Sequence, residues 1–185
     1  LKKNSTLEYL LEDLEQWKVI TSLIIKDDLG STPIIIEKIF VDKKGSPQHR
    51  FEWVCPNCKS WLPRYQPLPN KVAKSMGNNL PTPQVFFFDR VSRSSIYLAQ
   101  ECKNKGALIF FEPSSIKDEK LFIESLTISD VVKYSYERLG NNKELMKQVK
   151  IPLEIETCGA KGIRYKVHKD GIKETWSFMN AFKIN

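Results

Sequence analysis

The chain has 185 residues, a formal net charge of +7, 41% apolar and 28% charged residues, the balance of an ordinary water-soluble domain. No run approaches the roughly 18 apolar residues of a membrane span, the start has no apolar signal core, and lysines scattered along the chain rather than gathered in one stripe set nucleic-acid binding aside. Four cysteines are too few for a disulfide scaffold, so a cytoplasmic protein with reduced thiols is expected.

One domain over 1–185 is the default at this length. Ser5-Thr-Leu-Glu8 is a capping box ahead of Leu7, Leu10, Leu11, Leu14 and Trp17 at helical spacing, which predicts a helix over 5–17. Residues 19–25, 33–41 and 49–54 are rich in β-branched and aromatic side chains and read as strands, the last two joined as a hairpin through residues 42–47. Six of the ten prolines fall between Pro56 and Pro83, so 55–83 is predicted irregular, with one short helix at 71–76. Cys55-Pro-Asn-Cys58 has half of a zinc ribbon's spacing. A complete site would need His49, a distant ligand or a second subunit, and two free thiols on a rigid turn are the plainer reading.

From Gln84 the pattern changes. Apolar runs at 85–88, 107–111, 130–134 and 151–157 read as strands, with helices at 91–105, 117–126 and 136–149 between them and a break at Gly140. Strands without alternation, separated by helices, predict a parallel sheet covered on both faces. Ligands on such sheets bind beyond the carboxyl ends of the strands. Those ends carry Asp89-Arg90, Glu112, Ser135 with Glu137, and Thr157-Cys-Gly-Ala-Lys-Gly162. The last segment offers backbone N–H groups that a ligand anion can approach closely at Gly159 and Gly162. Residues 162–168 and 172–178 read as a closing antiparallel hairpin. Asp89-Arg90 reads as a local ion pair, Arg50 as solvated, and Phe86-Phe-Phe88 as core.

Four stretches in this order resemble the ribokinase, or PfkB, family of sugar and nucleoside kinases. The hairpin containing Thr32-Pro-Ile-Ile-Ile, within a β segment at 19–54, is similar to the family's lid. Gly106-Ala-Leu-Ile-Phe-Phe-Glu-Pro-Ser114 is similar to its strand end. Ser129-Asp-Val-Val-Lys-Tyr-Ser-Tyr-Glu137 and Thr157-Cys-Gly-Ala-Lys-Gly162 are similar to two of its nucleotide-side motifs. The resemblance implies a partial ribokinase-like α/β fold with a small β lid, truncated at both ends. It also implies transfer of the ATP γ-phosphate to a sugar or nucleoside hydroxyl, with ATP and Mg²⁺ as cofactors. It puts Thr157, Gly159, Gly162, Ser135 and Glu112 near the nucleotide and Glu137 near Mg²⁺. A homodimer through the lid is expected with it.

The sequence also departs from the family. Glu112-Pro-Ser114 stands where the family has Asp-Pro-Asn, and Arg138 takes the place of its usual glutamate, one residue after Glu137. The Gly-Ala-Gly-Asp segment that carries the family's catalytic aspartate does not occur in these 185 residues. The alternative is a non-catalytic member or fragment that binds partners through the lid hairpin, with Cys55 and Cys58 as a zinc clamp.

Overall fold

The computed structural model describes residues 5–26, 30–43, 45, 47–77, 79–139, 143–171 and 174–182; for Ser5, Glu137, Arg138 and Lys143 it describes the backbone only. The chain divides into two compact units, Leu1–Gln66 and Pro67–Asn185.

In the first unit, helix α1 spans Ser5–Gln16. Lys18 closes it with a left-handed φ of 58°. The Val19 N–H reaches back to the Leu14 carbonyl at 2.9 Å and the Lys18 N–H to Glu15 at 2.9 Å, a paired bond pattern that satisfies carbonyls at a helix end. Strands β1 (Ile36–Val41) and β2 (Pro47–Glu52) then form the expected antiparallel hairpin, in register from Ile36 opposite Glu52 to Val41 opposite Pro47. The strand expected at 19–25 does not form; those residues turn and bend, with an Ile24 N–H to Thr21 carbonyl bond. Their β-branched side chains favour a pleated surface, but the sheet here holds β1 and β2 only. Downstream, 53–66 is irregular apart from a bridge between Val54 and Trp61.

The second unit opens with α2 (Asn70–Gly77), then β3 (Val85–Phe88), α3 (Arg93–Asn104), β4 (Leu108–Phe111), α4 (Glu119–Ile128) and β5 (Val131–Ser135). Two short helical turns, α5 (Tyr136–Leu139) and α6 (Lys143–Met146), lead to β6 (Leu153–Thr157). The predicted break at Gly140 lies outside the described residues. After a 3₁₀ turn at Gly159–Lys161 come β7 (Gly162–Val167) and β8 (Ser177–Asn180). The sheet order is β3-β4-β5-β6-β7-β8, the first four parallel and the last two antiparallel. The final strand lies further along the chain than the 172–178 expected, because Gly162 pairs with Asn180 and Tyr165 with Ser177.

Local signals explain the helix ends. The Ser92 and Ser95 hydroxyls and backbone N–H groups cap the start of α3 reciprocally, and Asp118 caps α4 through the Leu121 N–H. Asp130, at the turn into β5, ties three strands together. Its carboxylate accepts from the Ile109 N–H at 2.8 Å and from Lys103 at 3.0 Å, and its carbonyl accepts from the Leu153 N–H at 3.0 Å.

The core lies on one face of the sheet, where Phe88, Ile109, Phe111 and Val132 meet Ala99, Cys102, Phe122 and Leu126 of the helices. Phe111 stacks on Phe88 at 4.6 Å and meets the Phe122 ring at 5.8 Å with a tilt of 58°. Coverage of both faces was expected and does not hold at β3 and β4, where Val85, Phe87 and Leu108 are exposed. Phe87 accordingly is not core. The parallel strands follow one another in order without a reversal, so right-handed crossovers place their helices on the same side. The continuous apolar run shows the composition of these strands but hides this asymmetry.

Further along, the helix-side face turns polar. Glu154 faces Lys166 and Glu156 faces Arg164 across β6 and β7, and both carboxylates are buried. Tyr134 donates to Glu154 at 2.6 Å, Lys166 pairs with Glu154 at 2.9 Å, and the Arg164 guanidinium pairs with Glu156 while lying over the Trp176 ring. Burial first, and the Glu154 bond second, push the Tyr134 hydroxyl well above the ordinary tyrosine pKa, so it stays a donor.

Candidate functional site

A cavity of about 890 Å³ opens beyond the carboxyl ends of β5 and β6. That volume falls within the range of small-molecule sites, and its place follows the rule for open α/β sheets. Ser135 and Tyr136 contribute from the end of β5. Thr157, Cys158, Gly159, Lys161 and Gly162 contribute from the strand end and 3₁₀ turn. Ile163 and Arg164 of β7, and Met179 to Phe182 at β8 and beyond, close the far side. Four residues singled out from sequence, Ser135, Thr157, Gly159 and Gly162, are therefore brought together.

The two glycines do different things. Gly159 has a left-handed φ of 59° and open space where a Cβ would stand, so a ligand can approach its backbone. Gly162 has φ 116° and ψ −141°, and a Cβ there would lie 2.1 Å from the Met179 carbonyl oxygen and 2.6 Å from the Ala181 nitrogen. Its glycine is required by the close pairing of β8. The turn is tied by the Cys158 N–H to the Gly162 carbonyl at 2.8 Å, and the Ala181 N–H reaches the Lys161 carbonyl at 3.3 Å. These bonds anchor the segment that carries Phe182 to the cavity.

Lys161 is exposed at the cavity wall and supplies a cation beside Gly159. With the Ser135 hydroxyl it makes a donor set suited to an anion, while the Thr157 hydroxyl donates to the Tyr134 carbonyl at 3.4 Å. Met179 and the exposed Phe182 ring give the opposite wall an apolar character. Sequence reasoning passed over Lys161, although it sits inside the Thr-x-Gly-x-x-Gly stretch. It also missed Met179 to Phe182, which enter the site only because β8 pairs with β7 in the observed register.

Glu112 directly follows β4 but does not line this cavity; Lys133 holds it at 2.7 Å. The Glu137 side chain lies outside the described residues. Asp89 and Arg90 form the local pair expected, at 3.3 Å, and Arg50 pairs with Glu52 at 2.6 Å at the surface. No Asp or Glu is among the described residues lining the cavity. Among the described residues there is no cluster of three or more His, Cys, Asp or Glu side chains able to hold a metal.

Cys55 and Cys58 belong to the first unit. Both thiols are free, and Cys58 is exposed. The Ser60 N–H, and after it the Ser60 hydroxyl and the Cys55 thiol, hold the Cys58 thiol below the usual cysteine pKa.

No protein-family model matches the sequence, and neither does any curated protein sequence. Solved structures do match. A ribokinase from Giardia lamblia superposes over 99% of this chain with a TM-score of 0.67 at 10% identity. The fold is ribokinase-like. A fructokinase from Xylella fastidiosa with bound ATP matches the ribokinase-like chain over 96% of its length, at TM-score 0.60 and 15% identity. A nucleoside kinase from Burkholderia thailandensis in complex with inosine matches over 95%, at 0.60 and 11%. The chain spans 58% of the first two structures and 54% of the third. Among the described residues no helix is long and apolar enough to cross a membrane.

Proposed function

We propose that this chain is the nucleotide-phosphate half of a PfkB-type kinase, which transfers the γ-phosphate of ATP to a sugar or nucleoside hydroxyl. The observation that carries the reading is the convergence of Ser135, Thr157, Gly159, Lys161 and Gly162 on one cavity at the carboxyl edge of a ribokinase-like sheet. The fructokinase solved with ATP and the nucleoside kinase solved with inosine support the two ligand classes.

In this reading the Gly159 backbone and the Lys161 ammonium take the phosphate oxygens. The Ser135 hydroxyl fixes their orientation, and Met179 and Phe182 flank the base. Transfer of a phosphoryl group rests largely on positioning and on neutralising charge, and this segment supplies part of both. The described lining offers hydroxyls and a cation but no carboxylate, whereas Mg²⁺ in such sites takes one or two carboxylates along with phosphate oxygens. The described residues thus fit the phosphates and not the metal. Glu137, directly after Tyr136 of the lining, is the metal-shell candidate. A homodimer through the β1–β2 hairpin belongs to the same proposal.

The test is thermal unfolding with and without ATP and Mg²⁺, alongside ADP release in the presence of ribose, fructose and inosine. A ligand at about 100 times its Kd adds roughly 2.7 kcal/mol to stability, so the midpoint should rise by several degrees. ADP release by these 185 residues should stay near background, because they hold no Gly-Ala-Gly-Asp segment. No rise would shift the account to a binding module. Efficient phosphorylation by this chain would refute the division of labour.

A further inference from the structure

The Cys55–Cys58 turn has a built geometry that the proposed kinase chemistry does not use. Val54 and Trp61 bridge as an antiparallel pair and pinch the residues between them into a loop. Inside it the Lys59 N–H donates to the Cys55 carbonyl at 3.0 Å, and the Cys55 N–H donates to the Ser60 carbonyl at 2.8 Å. Lys59 turns the chain back with a left-handed φ of 61°, a conformation that non-glycine residues rarely adopt. This one turn carries both cysteines, with Pro56 and Asn57 between them. Ser60 first, and the Cys55 thiol after it, are the neighbours that hold the Cys58 thiol below the usual cysteine pKa.

We propose that Cys55 and Cys58 form half of a tetrathiolate zinc site, completed by the same pair from a second copy of this chain across a two-fold axis. Thiolates separated by two residues on a tight turn suit Zn²⁺, whose closed structural sites take four ligands in a tetrahedron. The described residues offer no third ligand beside the pair, and Cys102 is buried in the core of the other unit. A two-fold contact presents an identical patch twice, so two thiols become four.

The surroundings suit both the metal and the second copy. Trp53 and Trp61, which flank the loop, are 47% and 65% exposed, and Ile39, Val41 and Phe51 of the hairpin are exposed as well. A second copy would cover such residues. Assembly forms four Zn–S bonds and releases four thiol protons to solvent, with no change of oxidation state, and leaves a centre of net charge minus two. Lys59, whose ammonium rests 2.6 Å from the Pro56 carbonyl, and Arg64, whose guanidinium lies 3.6 Å over the Trp61 ring, put positive charge beside it. The site stands independently of the nucleotide cavity.

The test measures zinc content and solution mass of the full chain, purified without chelators. The expected result is one zinc per two chains in a dimer, with a tetrathiolate charge-transfer spectrum when Co²⁺ replaces zinc. Cys58→Ser should lose the metal and weaken dimerisation about tenfold or more, whereas Cys58→His, which keeps a ligand, should retain zinc. Three results would overturn the proposal: one zinc per chain on a monomer, a zinc-free protein with both thiols titrating freely, or a zinc-free protein in which the pair is oxidised to a disulfide.

Discussion

Replacing Gly162 by alanine should damage this protein far more than replacing Gly159, although both glycines belong to one short motif. At Gly162 the backbone sits at φ 116° and ψ −141°, a region that costs a residue with a Cβ about 1–3 kcal/mol. The new methyl would also stand 2.1 Å from the Met179 carbonyl and 2.6 Å from the Ala181 nitrogen. Backbone cannot rotate aside, so β8 must shift, and forced overpacking of this kind adds about 1–3 kcal/mol. The sum is roughly 4 kcal/mol, or a fall in melting temperature of about 8–16 °C for a chain of this size. At Gly159 the methyl meets nothing within 4 Å. The left-handed conformation costs about 1 kcal/mol, and the reduced freedom of the unfolded chain returns about half of that or more. Differential scanning calorimetry of the two variants beside the parent chain reads the contrast. Equal shifts, or a larger one for Gly159→Ala, would refute the assignment of Gly162 to β8 packing.

Tyr134→Phe should cost about 1.5–3 kcal/mol, because Glu154 loses a hydrogen bond in a buried site. The parent chain should also lose stability as pH rises above the ordinary tyrosine value. The unfolded chain ionises there while the folded Tyr134 keeps its proton, so the stabilisation present below that pH drains away. Urea melts from pH 7 to 11 should show this slope in the parent and a shallower one in Tyr134→Phe. Asp130→Ala should cost about 1–3 kcal/mol, since the Ile109 N–H loses its acceptor. Chemical denaturation measures this, and Asp130→Asn, which keeps an oxygen, should recover part of it.

The alternation of the second unit was legible because its signals are local and mutually consistent. Each apolar run is followed by a serine or aspartate cap or a glycine stop, and the carboxyl edge of the sheet follows from that order. Ser135, Thr157, Gly159 and Gly162 were found for the same reason. Three features depended on partners that a local reading does not see. Residues 19–25 have strand composition but pair with no strand among the described residues. The β3–β4 runs look buried on both sides, yet the crossover helices lie on one. The last strand is set by its register with β7, and only that register brings Met179 and Phe182 to the cavity. Glu112, chosen for its place at a strand end, is held instead by Lys133, a cross-strand pairing that spacing along the chain does not reveal.

The central claim is that the cavity at the ends of β5 and β6 holds nucleotide phosphates. Isothermal titration calorimetry tests it most directly, with ATP in Mg²⁺, with adenosine, and with a Lys161→Glu chain. The account predicts saturable ATP binding at one site and much weaker binding of adenosine. It also predicts at least a tenfold loss in Lys161→Glu, the counterpart of about 1.4 kcal/mol for one charge-assisted contact. Equal affinity for ATP and adenosine, or ATP binding unchanged by Lys161→Glu, would contradict it.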